Sequence, residues 1–126
     1  MKSTIFYLDD ENPQLELFRA LFGDEFDVRT ATTPGEARRM LAEQAADIII
    51  SDQKMPEIEG VDFLREAMRV CPSSFRILLT GQSSISEVIS EIREGVLHVF
   101  LAKPWTETRM REMLERAKSF LDRQTD

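Results

Sequence analysis

Five short apolar runs, each followed by a stretch with helical periodicity, leave this chain few ways to fold. The runs are Thr4–Leu8, Phe26–Thr30, Ile48–Ile50 leading into Ser51 and Asp52, Ile77–Thr80 and Val99–Ala102. A strand–helix alternation of this kind builds a parallel sheet with helices on both faces. Right-handed crossovers then admit few topologies. The first run is apolar throughout, so its strand belongs in the middle of the sheet. In the second, Phe26, Val28 and Thr30 alternate with Asp27 and Arg29, which marks a sheet edge. The expectation is a single α/β domain of (βα)5, flavodoxin-like type, five parallel strands in the order 2-1-3-4-5. Residues 1–121 form the domain, and the polar 122–126 fray or begin a linker.

Helix boundaries follow from punctuation. Asn12 reads as an N-cap with Pro13 at the first helical position, and Gly23 as a left-handed stop. Leu15, Phe18 and Phe22 form the apolar face between them. Thr33-Pro34-Gly35-Glu36 and Ser84-Ile85-Ser86-Glu87 have the form of capping boxes. Ala37, Met40, Leu41 and Ala45 face inward in the second helix, and Val61, Leu64, Met68 and Cys71 in the third, which Pro72 ends. Ile85, Val88, Ile89 and Ile92 line the fourth helix, stopped by Gly95. Met110, Met113, Leu114, Ala117 and Leu121 line the fifth.

Composition closes off other classes. The net charge of −7 argues against direct nucleic-acid binding, which needs a basic patch. No apolar run reaches the ~20 residues of a membrane span, and no leader pattern opens the chain. A single cysteine, Cys71, excludes an internal disulfide and fits a cytoplasmic location.

Four runs end in a side chain capable of chemistry. The first ends in Asp9-Asp10, the third in Asp52, the fourth in Thr80 and the fifth in Lys103. Parallel strands bring those ends to one edge, where open α/β sheets bind ligands. Two carboxylates ~4 Å apart repel by about 4 kcal/mol at an effective dielectric of ~20, so three together call for a cation. Hard oxygen donors with room for water and phosphate suit Mg²⁺. A cation and a lysine let a phosphoryl group approach a carboxylate, which can accept it as an acyl phosphate.

These residues resemble the receiver domain of two-component response regulators over essentially the whole chain. The matching pieces are Asp9-Asp10, the run Asp52-x-x-Met55-Pro56-x-x-x-Gly60, Thr80 and Lys103-Pro104. The resemblance implies that Asp52 accepts a phosphoryl group from the phosphohistidine of a histidine kinase or phosphotransfer protein. It implies Mg²⁺ held by Asp9, Asp10, Asp52 and the Lys54 backbone carbonyl. Lys103 and Thr80 would contact the phosphoryl group, and Phe100 would rotate inward with Thr80 as a switch. The Lys103–Pro104 peptide would be cis. Output would pass to a further domain or a downstream protein, with a homodimer through the fourth helix, fifth strand and fifth helix as one route. Such a module is not an enzyme beyond its own phosphorylation and dephosphorylation.

Two departures from the family pattern stand out: Gly81 after Thr80, and Phe100 where a tyrosine is frequent. Lys54 and Gln82 occupy the variable positions expected to tune water access to the acyl phosphate.

Other classes fit less well. A Mg²⁺-dependent phosphohydrolase would need a second acid/base carboxylate and a cap. A flavin or nucleotide site would offer Ser, Thr or Gly in the first loop, where this chain has Asp9-Asp10-Glu11. A receiver working without phosphorylation would not need the complete acidic set. His98, the only histidine, reads as a strand residue with one polar partner, and Cys71 as a small buried hydrophobe. Trp105 is either a partner anchor or a residue packed on the last helix.

Overall fold

The computed structural model describes residues 2–81 and 85–124, the side chains of 85–87 aside. The elements are β1 (Thr4–Leu8), α1 (Asn12–Phe22), β2 (Asp27–Ala31), α2 (Pro34–Glu43), β3 (Ile48–Asp52), α3 (Gly60–Val70), β4 (Phe75–Thr80), α4 (Ile85–Arg93), β5 (Val99–Ala102) and α5 (Glu107–Gln124). The sheet runs β2-β1-β3-β4-β5, with every pair parallel, as the alternation requires. β2 is the edge its mixed pattern indicated, and β1 and β3 are central.

Alternate residues of each central strand feed two cores. Ile5, Tyr7, Ile48, Ile50, Ile77 and Leu79 meet Leu15, Phe18 and Phe22 of α1 and Met110, Met113, Leu114 and Ala117 of α5. Phe6, Leu8, Ile49 and Leu78 meet α2, α3 and α4 on the other side. The period of two in a strand and of 3.6 in a helix makes these faces coincide.

Several boundaries differ from the sequence reading. The helix α1 begins at Asn12, with Glu11 as its N-cap and no capping side chain. The Asp9 carboxylate accepts from the Glu11 N–H at 2.9 Å, and this turn starts the helix one residue early. Asn12 instead donates to Glu16. Gly23 has φ −65°, right-handed, because the chain winds one turn further and the Phe26 N–H reaches the Phe22 carbonyl. Ala45 is exposed, since α2 ends at Glu43 and the extended Gln44 turns Ala46 inward. In α3, Phe63 and Ala67 join Leu64 in the core.

Other signals act as expected. The Thr33 hydroxyl accepts from the Glu36 N–H at 3.3 Å. Gly95 has φ +81° and closes α4 in a Schellman pair: its N–H meets the Ile92 carbonyl and the Val96 N–H meets that of Glu91. The capping box beginning at Ser84 lies outside the described residues.

β4 starts at Phe75, two residues before the apolar run, and hides Arg76 at 4% exposure. The Arg76 guanidinium donates to the carbonyls of Ser74, Gly95 and Val96 and to the Ser74 hydroxyl. It thereby ties the end of α4 to the sheet. His98 Nδ1 accepts from the Arg76 backbone N–H at 3.0 Å, and the ring stacks on Phe75. Burial, and then the Arg76 charge, push the imidazole down to about 4, so it is a neutral acceptor at pH 7. Cys71 is buried and free.

Candidate functional site

The C-terminal edge of the sheet collects the strand-end residues. Parallel register sets β1 against β3 and β3 against β4, with Asp52 opposite Leu79. Asp9 directly follows β1 and is fully buried. Asp52 ends β3 at 3% exposure, and Asp10 is exposed. Ligand oxygens of all three acids lie within 4.8 Å of one another.

Lys103, just past β5, sends its ammonium to Asp52 Oδ1 at 2.9 Å. Its backbone N–H is held by the Thr80 carbonyl at 2.9 Å, and the Lys103–Pro104 peptide is cis. Burial pulls the ammonium pKa down, but the hydrogen bond and charge of Asp52, joined by Asp9 and Glu11, outweigh it and raise the pKa. The lysine is therefore a permanent cation.

Both buried carboxyls are pushed toward their protonated forms. Burial raises Asp52, Lys103 draws it down, and Asp10 pushes it up again, for a net rise. Burial also raises Asp9. The Glu11 N–H opposes that rise, and the Asp52 charge adds to it. One lysine thus does not discharge three acids.

The donor set fits a hard divalent cation: three carboxylates converge, and among the described residues Lys103 is the one cation paired with them. Asp9→Asn is accordingly expected to stabilise the cation-free protein by about 1 kcal/mol, because a buried charge is lost. The same substitution should remove most of the thermal protection expected of Mg²⁺ at this donor set. Melting curves with and without Mg²⁺ measure both.

The remaining predicted residues are placed less tightly. Thr80 ends β4 at 1% exposure, yet its hydroxyl donates to the Gly81 carbonyl rather than to Asp52. Phe100 lies in β5, partly buried against the core on the α4 side. Lys54 is exposed in the turn after β3. Gln82 lies outside the described residues.

Two supports escaped the sequence reading. Gln53 is 3% exposed. Its side-chain oxygen accepts from the Val61 N–H at 2.9 Å and its amide donates to Glu59, so it anchors the start of α3 beneath Asp52. Tyr7, fully buried, donates its hydroxyl to Asp9 Oδ2 at 3.1 Å. Burial, then the charge and hydrogen bond of Asp9, raise the tyrosine's pKa, while the Trp105 N–H acts to lower it. Residues i and i+2 of a strand share a face, so a polar tip two residues before an acid was the available signal.

Trp105, partly buried, packs edge-on against Phe18 at the margin of the α1/α5 core.

Comparison with known proteins gives a consistent result. The family model for the response regulator receiver domain matches residues 5–115. The chain is 32% identical over 104 residues to the hydrogenase transcriptional regulatory protein HoxA of Cupriavidus necator, covering 82% of this chain and 22% of HoxA. It therefore spans under a quarter of that relative's length. A response regulator receiver domain protein from Clostridium thermocellum superposes with a TM-score of 0.84 at 29% identity, over 98% of this chain and 97% of the other. An adenylate cyclase from Rhodopirellula baltica gives a TM-score of 0.94 at 23% identity, over 99% and 93% of the two chains, a likeness of fold.

Proposed function

This chain belongs to the response regulator receiver domain family, and from that membership we propose that Asp52 is the phosphoacceptor of a two-component signalling switch. One observation carries the reading: a buried carboxylate with two further carboxylates within 4.8 Å and an ammonium at 2.9 Å. An oxygen of Asp52 attacks phosphorus, the P–N bond to a donor imidazole breaks, and the imidazole leaves with the electron pair. Asp9, Asp10, Asp52 and the Lys54 carbonyl would hold Mg²⁺, which neutralises charge on the incoming phosphoryl group. Lys103 exchanges its Asp52 contact for the phosphoryl oxygens. Thr80 leaves the Gly81 carbonyl to donate to the new group, and Phe100 fills the space behind it. That repacking biases the face of α4, β5 and α5 toward a partner or a second copy. The donor is a histidine kinase or phosphotransfer protein. The receiver is the regulatory segment, and output lies in a further domain or a downstream protein.

The test is incubation with Mg²⁺ and a small phosphodonor, read by intact mass. Wild type gains one phosphoryl group and Asp52→Asn gains none. Equal labelling of the two would move the acceptor elsewhere.

Lys54 is exposed two residues past Asp52, which supports a role in water access to the acyl phosphate. Lys54→Ala is expected to change the phosphoryl lifetime more than Mg²⁺ affinity. Equal dephosphorylation rates would remove Lys54 from that role.

A further inference from the structure

The Asp9 carboxylate is held at both oxygens. Oδ1 accepts the Glu11 N–H at 2.9 Å and Oδ2 accepts the Tyr7 hydroxyl at 3.1 Å. Each oxygen has room for two donors and takes one, so one lone pair on each stays available while the plane of the group is fixed. Trp105 packs against the core that contains Tyr7. Its Nε1 is the only buried side-chain nitrogen or oxygen without a hydrogen-bond partner among the described residues. The indole N–H acts to lower the Tyr7 pKa, against burial and Asp9, yet Nε1 has no hydrogen-bond partner. The Tyr7 hydroxyl donates once to Asp9 and keeps accepting capacity for a further donor. Phe18 of α1 meets both rings edge-on, at 5.2 Å from Tyr7 and 6.2 Å from Trp105.

We propose that Tyr7 is a positioning residue for Asp9, and that Trp105–Tyr7–Asp9 forms a relay carrying the charge state of the acidic site to the α1/α5 side of the sheet. The inference rests on the reading of the three acids as a divalent-cation site. A small shift of the indole completes the chain of donors: Trp105 N–H to Tyr7 oxygen, Tyr7 O–H to Asp9. A cation on Asp9 weakens the carboxylate as an acceptor, which loosens the Tyr7 bond and alters the pull on the indole. The path lies on the opposite face of the sheet from Phe100, so it is separate from the Thr80–Phe100 pair.

Trp105 is the only tryptophan and Tyr7 the only tyrosine, so each reports alone. Mg²⁺ titration of the wild type, followed by tryptophan emission and by melting temperature, should show a saturable change in both. In Tyr7→Phe the emission change should be largely lost, and Mg²⁺ affinity, read from melting temperature, should fall about 10-fold, the usual effect of removing an outer partner of a metal ligand. In Trp105→Phe the emission of Tyr7 itself should respond to Mg²⁺, because its bond to Asp9 quenches it. That second variant reads the Tyr7–Asp9 link, on which the relay depends, even where Tyr7→Phe fails to fold. A Tyr7→Phe protein with wild-type affinity and emission response overturns the relay, as does a silent Tyr7 in Trp105→Phe. If Mg²⁺ leaves the wild type's melting temperature unchanged, the cation-site reading falls and takes the relay with it.

Discussion

Lys103→Met is expected to slow phosphoryl transfer to Asp52 by about 100-fold, the usual loss when one charge-stabilising donor is removed. The ammonium lies 2.9 Å from Asp52 Oδ1 and is the one cation in contact with that carboxylate among the described residues. Two effects add. The phosphoryl oxygens lose their counter-charge, and Asp52, already raised by burial, is driven further toward its protonated and non-nucleophilic form. Mg²⁺ binding should survive or tighten by a few-fold, since the acids keep their positions and lose a competing cation. Labelling rates and Mg²⁺ melting curves on the same variant separate the two consequences. A wild-type labelling rate would remove Lys103 from the reaction.

Gly60→Ala should be the most damaging of the five glycine-to-alanine changes. A Cβ at this position would lie 2.2 Å from the Asp52 carbonyl oxygen, 2.8 Å from its carbon and 2.9 Å from Gln53 Cα. All three are backbone atoms, held by the Gln53 N–H to the Leu79 carbonyl and the Gly60 N–H to the Gln53 carbonyl, both at 2.9 Å. No side chain can swing aside, so either α3 lifts or the end of β3 moves. We expect a loss of about 3 kcal/mol, a melting temperature lower by roughly 10 °C, and weaker phosphoryl acceptance even where the protein stays folded. Gly35→Ala is the control: nothing lies within 4 Å of its Cβ, so it should be neutral or slightly stabilising. Matching melting temperatures for the two variants would refute the packing argument.

The parts of this molecule legible in the sequence share a cause. Strand runs such as Ile48–Ile50 and helix faces such as Leu15, Phe18 and Phe22 are periodic, and periodicity survives without coordinates. Thr33 and Gly95 were legible because capping and a left-handed turn are local chemistry. Asn12 and Gly23 misled for a related reason. Each carries the right residue type, but Asp9's bond to the Glu11 N–H and the extra turn to Phe26 shifted the boundary. Phe63 was passed over because Val61 and Met68 satisfied the same helical spacing. Only the angle at which α3 meets the sheet selects among them.

The sequence by itself determined the order of elements, the central and edge strands, and which side chains reach one rim of the sheet. Those depend on residue type, spacing and the fixed hand of βα units. The tertiary structure alone decided which of those side chains touch. It set Lys103 on Asp52, left Thr80 on Gly81, and gave Asp9 to a tyrosine from its own strand. It also placed the Asp52 backbone so close to Gly60 that no side chain fits between. Contacts of this kind depend on distances of a few tenths of an ångström, which packing fixes and a one-dimensional pattern does not encode.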